Sequence, residues 1–318
     1  WAVDAWAQES NGRVHHDIEF GEFFKPIPPA LNGDNTFASV TVLTHGFKKP
    51  FFGEDGVPEE FYRVANNIAN LDVSNPGLMM EYDASTGYWK PIDRNGNVAR
   101  DFEELLNLGN TDYLTSLETY ITPYQEENLP LVLVTDWSDG NQSAIPDSGF
   151  TEGAADAIFA SLVQLDGLLE DEDSSTEQGG VFNSPLHFIG FSRGAVVNSE
   201  IVQRLGTYFP EAGGLEGSEV RDLMMTTIDP HDFDQPSLNR VYPNFGDFRE
   251  PKVQVWENVT FADNYYQTVP DLLNNTVTPA GRDIPNLPET ETGEDKTAVG
   301  LEFPRVGWRS ARPNPNAA

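Results

Sequence analysis

Apolar and polar positions alternate along the chain in blocks that predict successive strands and helices. Residues 38–44, "ASVTVLT", form a β-branched apolar run that predicts a strand ending at His45-Gly46-Phe47. Phe61, Val64, Ala65, Ile68 and Leu71 then recur at helical spacing. Residues 78–93 read as a hairpin turning at Asp83–Gly87, and 112–122 as a short helix. Residues 129–135 predict a second buried strand that delivers Asp136 and Trp137 to its end. A helix over 153–169 carries Ala155, Ile158, Phe159, Leu162, Leu165 and Leu169 on one face. Strand 185–190, a turn at Ser192 and helix 193–206 follow, the helix burying Val197, Ile201, Val202 and Leu205. Strand 223–228 ends at Asp229-Pro230, and "KVQVW" (252–256) predicts one more strand.

Strands alternating with helices imply right-handed crossovers, hence an α/β fold with a mostly parallel central sheet and helices on both faces. Such sheets bind ligands at the carboxyl ends of their strands. That edge would gather Gly46-Phe47, Asp136-Trp137, Ser192 and Asp229. Residues 1–277 are expected to form a single domain. Within it, 72–128 carries Met79, Met80, Tyr82, Tyr88 and Trp89, suiting an insertion that acts as a lid or an extra wall of the cleft, or a plain surface hairpin. Residues 170–180 read as a solvated loop, and 278–318 as an irregular tail without periodicity.

Composition narrows the partners. The 318 residues carry 51 acids against 19 bases, a formal charge of −32. Phosphate-backbone binding needs clustered Lys and Arg, so nucleic acid is not an expected partner, and anionic membranes would repel the chain. No apolar run reaches the length of a membrane span. Cysteine is absent, which removes disulfides, thiolate metal sites and cysteine nucleophiles. An acidic excess of this size suits high salt or calcium-rich extracellular water, so a secreted or extracellular chain is expected. The chain starts at Trp1 without an initiator Met, as a processed form or a piece of something longer would.

Candidate chemistry centres on Gly190-Phe191-Ser192-Arg193-Gly194, a G-x-S-x-G pentapeptide. An apolar strand enters it and a helix leaves it, the setting in which such a serine is presented on a tight turn. The turn sets Ser192 near a helix N-terminus, where partial positive charge favours a developing anion. The alternative is an ordinary strand-to-helix turn with an N-capping serine. An oxyanion hole needs two backbone N–H donors, for which Arg193 and Phe47 are the candidates. Asp229 is placed to orient a histidine. Asp232 and Asp234 stand close by in "DPHDFD" and could instead form an acidic, calcium-binding loop; that loop lacks an EF-hand's Gly and terminal Glu. No cofactor is expected.

"LTHGF", "LVTDW", "IGFSRG" and "TTIDP" follow one another in this order over about 40–235. In that order they resemble the α/β-hydrolase superfamily, in its lipase-like branch. "WENVTFADNYYQ" (256–267) further resembles bacterial secreted lipase-like proteins in which an aspartate-proline-histidine precedes such a segment. The resemblance implies an α/β-hydrolase fold, Ser192 as nucleophile, Asp229 as acid, and Phe47 and Arg193 as oxyanion donors.

The base is the open question. The resemblance places it after the last strand, yet the five histidines are His15, His16, His45, His187 and His231. His15 and His16 come too early, His45 flanks the oxyanion loop, and His187 lies within a strand. His231 stands two residues after Asp229 and remains the candidate within the chain. Three readings stay open: the chain ends before its catalytic histidine, His231 serves in an unusual geometry, or the base is lost and the scaffold only binds. The first expectation is a serine hydrolase of the lipase or carboxylesterase kind acting on a small-molecule or lipid ester. The second is a binding module of a larger secreted acidic protein. Oligomeric state is not readable.

Overall fold

The computed structural model describes residues 36–46, 57–107, 112–137, 150–169, 180–215, 221–230, 232, 251–271, 276–279, 301–302 and 308–312. The strands are β1 (Val40–Thr44), β2 (Leu78–Asp83), β3 (Tyr88–Pro91), β4 (Leu131–Asp136), β5 (Leu186–Phe191), β6 (Leu223–Ile228), β7 (Phe261–Asp271), β8 (Thr276–Pro279), β9 (Leu301–Glu302) and β10 (Trp308–Arg312). The helices are α1 (Glu59–Ala69), α2 (Arg100–Asn107), α3 (Tyr113–Glu126), α4 (Phe150–Leu168) and α5 (Arg193–Tyr208).

The sheet runs β3-β2-β4-β1-β5-β6-β7-β10-β9, with β8 paired to β7. Every neighbouring pair from β2 to β7 is parallel, and β3 and β10 are antiparallel additions. The expected α/β architecture with a mostly parallel sheet is what forms. Its centre is β1, whose five residues are all buried. A strand covered on both faces has no polar side to alternate with, which is why "VTVLT" reads as a continuous run. Val40 and Val42 face one layer with Leu131, Leu133 and Phe188, covered by Leu117 and Ile121 of α3, Ile158 and Leu162 of α4, and Val197 and Ile201 of α5. Leu43, Val132 and Val134 face the other, covered by Ala65 and Ile68 of α1. Successive side chains of a strand point to opposite faces, and the two clusters divide accordingly. Among the described residues no helix is long and apolar enough to cross a membrane.

Several expectations are corrected. Leu71 leaves the helical face, because α1 ends at Ala69 and Leu71 is 54% exposed. Helix α2 is not among the expected elements, although Phe102, Leu105 and Leu106 stand at helical spacing; Phe102 is buried and the two leucines pack against the core. Met79, Met80, Tyr82 and Trp89, expected on a lid or a surface hairpin, are buried. Strand β2 is hydrogen-bonded on both sides, to β3 and β4, so these residues belong to the core. "KVQVW" is not a strand. Val253 and Val255 are buried, but the Val253 N–H donates to Asp232 Oδ2 and the Gln254 N–H to Ser199 Oγ. The place beside β6 is taken by β7, which pairs through Met224↔Phe261 to Ile228↔Tyr265. The expected tail from 278 contributes β10 to the sheet and β9 beside it, pairing Trp308↔Gln267 and Ala311↔Glu302. Most of 170–180 lies outside the described residues.

Candidate active site

Register brings the candidates to one edge. Thr44 is level with Thr135 of β4 and Gly190 of β5, and Phe191 is level with Ile228 of β6. The residues at or just beyond these strand ends are therefore His45-Gly46, Asp136-Trp137, Ser192 and Asp229. Phe47, His231 and Asp234 lie outside the described residues, as do His15 and His16.

Ser192 has φ 55° and ψ −122°, a conformation L-residues adopt only at a cost of about 1–3 kcal/mol. Its N–H donates to the Ile228 carbonyl at 2.8 Å, carrying the β5–β6 ladder one residue past the strand. It stands at the N-terminus of α5, yet its hydroxyl makes no capping bond to that helix. The capping-serine alternative is therefore not what forms. Close approach of backbone explains the glycines. A Cβ on Gly194 would lie 2.3 Å from the Thr44 carbonyl oxygen and 2.5 Å from that of His45. A Cβ on Gly46 would lie 2.4 Å from Ser192 Cβ and 3.1 Å from its Oγ. The loop after β1 thus lies directly against the serine turn.

Asp229 also has positive φ, 47°, and is fully buried. Its N–H donates to the Tyr265 carbonyl at 2.6 Å, so β7 fixes the turn on which it sits. Asp232 is buried with Oδ2 accepting from the Val253 N–H at 2.9 Å. Among the described residues no three His, Cys, Asp or Glu side chains gather as a metal site would require. Arg193 is the first residue of α5 and is buried, its guanidinium carbon 5.6 Å from the centre of the Trp137 ring. That is within cation–π range.

Two of the five histidines are described. His187 sits inside β5, its Nε2 2.8 Å from Thr226 Oγ1, and burial pushes its imidazole down from 6.5 to about 4. It is neutral at pH 7. His45 is equally buried, with Nδ1 2.8 Å from the Gly46 carbonyl oxygen. A carbonyl can only accept, so Nδ1 carries the proton. Nε2 lies 3.7 Å from Asp136 Oδ1, and the ring stacks on Trp137 at 5.6 Å between centres.

No protein-family model and no curated protein matches the chain. Among solved structures it is similar to a "putative cell surface hydrolase" from Lactobacillus plantarum. The two share 14% identity over 79% of this chain and 87% of that one, with a TM-score of 0.33.

Two further contacts hold this edge together. The Trp137 indole N–H donates to the His45 carbonyl at 2.8 Å, and the Thr44 hydroxyl donates to Asn198 Oδ1 at 2.6 Å. The partners are 92 and 154 residues apart, so no local spacing could have announced them. The side chains themselves were visible: a Trp at a strand end, and an Asn one turn into the helix after the serine.

Proposed function

We propose that this chain is a serine hydrolase of the α/β-hydrolase type acting on carboxylic esters through an acyl-enzyme on Ser192. The backbone of Ser192 carries this reading. A buried serine with positive φ, at a helix N-terminus it does not cap, answers the requirements of a nucleophile better than those of a turn.

Ser192 Oγ attacks the ester carbonyl carbon while a histidine takes its proton. The oxyanion that forms is held by backbone N–H groups, for which Arg193 and Phe47 are the candidates. The histidine returns the proton to the departing alkoxide, and water then cleaves the acyl-enzyme by the same sequence. Asp229 orients the histidine and stabilises its imidazolium. His231 is the candidate base within the chain; a histidine supplied from further sequence is the other source. The net charge of −32 supports an extracellular setting.

A second reading is that no residue serves Ser192 as base. Without a base the cleft would bind and not turn over. Fluorophosphonate labelling followed by peptide mass spectrometry, beside hydrolysis of p-nitrophenyl butyrate, separates the two. Adduct on Ser192, together with turnover that Ser192→Ala lowers by about 10⁴-fold or more, is the expected result. A folded chain that neither labels nor hydrolyses shows that no residue of this chain serves as base, and unchanged turnover in Ser192→Ala would sink the hydrolase reading.

A further inference from the structure

We infer that Asp232 and Ser199 act as positioning residues that brace the Asp229 turn against the helix that starts at Ser192. The inference rests on the hydrolase reading above and adds what holds the acid in place relative to the nucleophile. Asp229 has φ 47°, a conformation that persists in an L-residue only where its surroundings over-determine it. Two contacts supply this. The Asp229 N–H donates to the Tyr265 carbonyl at 2.6 Å, which ties the turn to β7. Further along, the buried Asp232 carboxylate accepts the Val253 N–H at 2.9 Å, a charge-assisted bond. Asp229 and Asp232 are thus both anchored, each to a different segment.

The segment that receives Asp232 is itself fastened to α5. Val253 and Val255 are buried in the core, yet 252–256 is not a strand, so its N–H groups need side-chain partners. Ser199 is the partner of Gln254. Its hydroxyl accepts the Gln254 N–H at 2.9 Å and the Trp256 indole N–H at 3.2 Å, and donates to the Gln254 carbonyl at 3.0 Å. A hydroxyl has one proton and two lone pairs, and here all three are used. Ser199 is fully buried and stands about two turns into α5, whose first residue, Arg193, follows Ser192. A path of hydrogen bonds therefore runs from the nucleophile's helix through Ser199 and 253–254 to Asp232, beside Asp229. It is separate from the sheet, where the Ser192 N–H meets the Ile228 carbonyl. The sheet sets where the Asp229 main chain stands, and the brace sets how the turn beyond it is rotated. Asp232 and Ser199 touch no reacting atom in this account; they act by placing Asp229.

Steady-state hydrolysis of p-nitrophenyl butyrate by the full chain tests this, with thermal melts by circular dichroism and Ser192→Ala alongside. Losing the acid of a triad costs about 10⁴-fold in kcat, and misplacing a catalytic group by about 1 Å costs about 100-fold. Asp232→Ala, assayed where it is folded, is therefore expected to lower kcat by about 10- to 100-fold with KM within about twofold. Asp232→Asn keeps an oxygen that can accept the Val253 N–H and is expected to recover most of kcat. Ser199→Ala is expected to lower kcat as well. The double variant of Asp232→Ala with Ser199→Ala is expected to fall no further than the slower single one, because both act through one segment. A purely structural role would lower the melting temperature and leave the kcat of the folded chain unchanged. That result in Asp232→Ala or in Ser199→Ala overturns the brace while leaving Ser192 catalysis standing. So does a folded Asp232→Asn as slow as Asp232→Ala, and so do losses that add in the double variant. If Asp232→Ala does not fold, Ser199→Ala decides. A chain in which Ser192→Ala changes nothing, or which has no turnover to begin with, overturns the hydrolase reading and the brace with it.

Discussion

At this edge Ser192, Asp229 and Gly194 take positive φ or tolerate no side chain, each for a different reason. Ser192 is bent because its strand must stop and its helix must start without a linker. Asp229 is bent because β6 ends there while its N–H still reaches Tyr265 of β7. Gly194 is fixed by what lies above it. Its neighbours are the carbonyl oxygens of Thr44 and His45, main-chain atoms that cannot rotate away. Gly194→Ala is therefore expected to push α5 from the end of β1, costing about 1–3 kcal/mol in a thermal melt and also lowering fluorophosphonate labelling of Ser192. An unchanged melting temperature would show that the two segments separate freely. The pentapeptide was readable as such a turn from its residues alone. Why its second glycine is needed was not, because the atoms it makes room for come from 150 positions earlier in the chain.

At the scale of elements, β5 carries a polar residue into a position where its neighbours along the strand are apolar. His187 lies level with Thr41 of β1 and Met224 of β6, and it is bonded to Thr226. Burial holds its imidazole at about 4 against 6.5 when solvated. As pH falls from 6.5 toward 4, the unfolded chain takes up a proton that the folded chain refuses, so stability falls across that window. Above 6.5 both states are neutral and the effect vanishes. The full loss is on the order of 3 kcal/mol. Urea unfolding as a function of pH should show this slope, and His187→Gln, which keeps a donor toward Thr226 but does not titrate, should remove it. Identical pH dependence in the two proteins would assign the slope to other groups. The strand itself was predictable from "LHFIGF". Hydrophobic pattern failed elsewhere in an informative way: "KVQVW" has a strand's pattern but its N–H groups are taken by Asp232 and Ser199, while "FADNYYQTVPD", which looks less like a strand, occupies the sheet. Pattern reports which side chains are buried; it does not report which backbone finds a ladder.

For the molecule as a whole, the dominant long-range term is repulsion among 51 acids with only 19 bases to offset it. Few of the described ion pairs are deep. The Lys90 ammonium lies 3.0 Å from Glu81 and 3.6 Å from Asp83, and Arg204 joins Glu200 and Asp156, but Arg63–Glu60 and Arg100–Glu104 are exposed pairs of small value. Screening should relieve the net repulsion more than it weakens these pairs. The melting temperature is therefore expected to rise as sodium chloride goes from about 0.01 M to about 1 M, where the screening length contracts from about 30 Å to about 3 Å. A fall would mean that specific ion pairs outweigh the repulsion.

Local pattern alone determined the buried strands, the helices that alternate with them, the parallel sheet this alternation imposes, and the strand–serine–helix turn at its edge. These follow from periodicity and chain handedness, which act over a few residues or a single crossover. Only the tertiary structure decided that β2 is an inner strand, that β7 displaces "KVQVW", and that the Trp137 indole meets the His45 carbonyl beside the Ser192 turn. Each of these depends on groups far apart in the chain meeting across strand ends, and their meeting is set by sheet register and close packing, neither of which leaves a periodic trace in sequence.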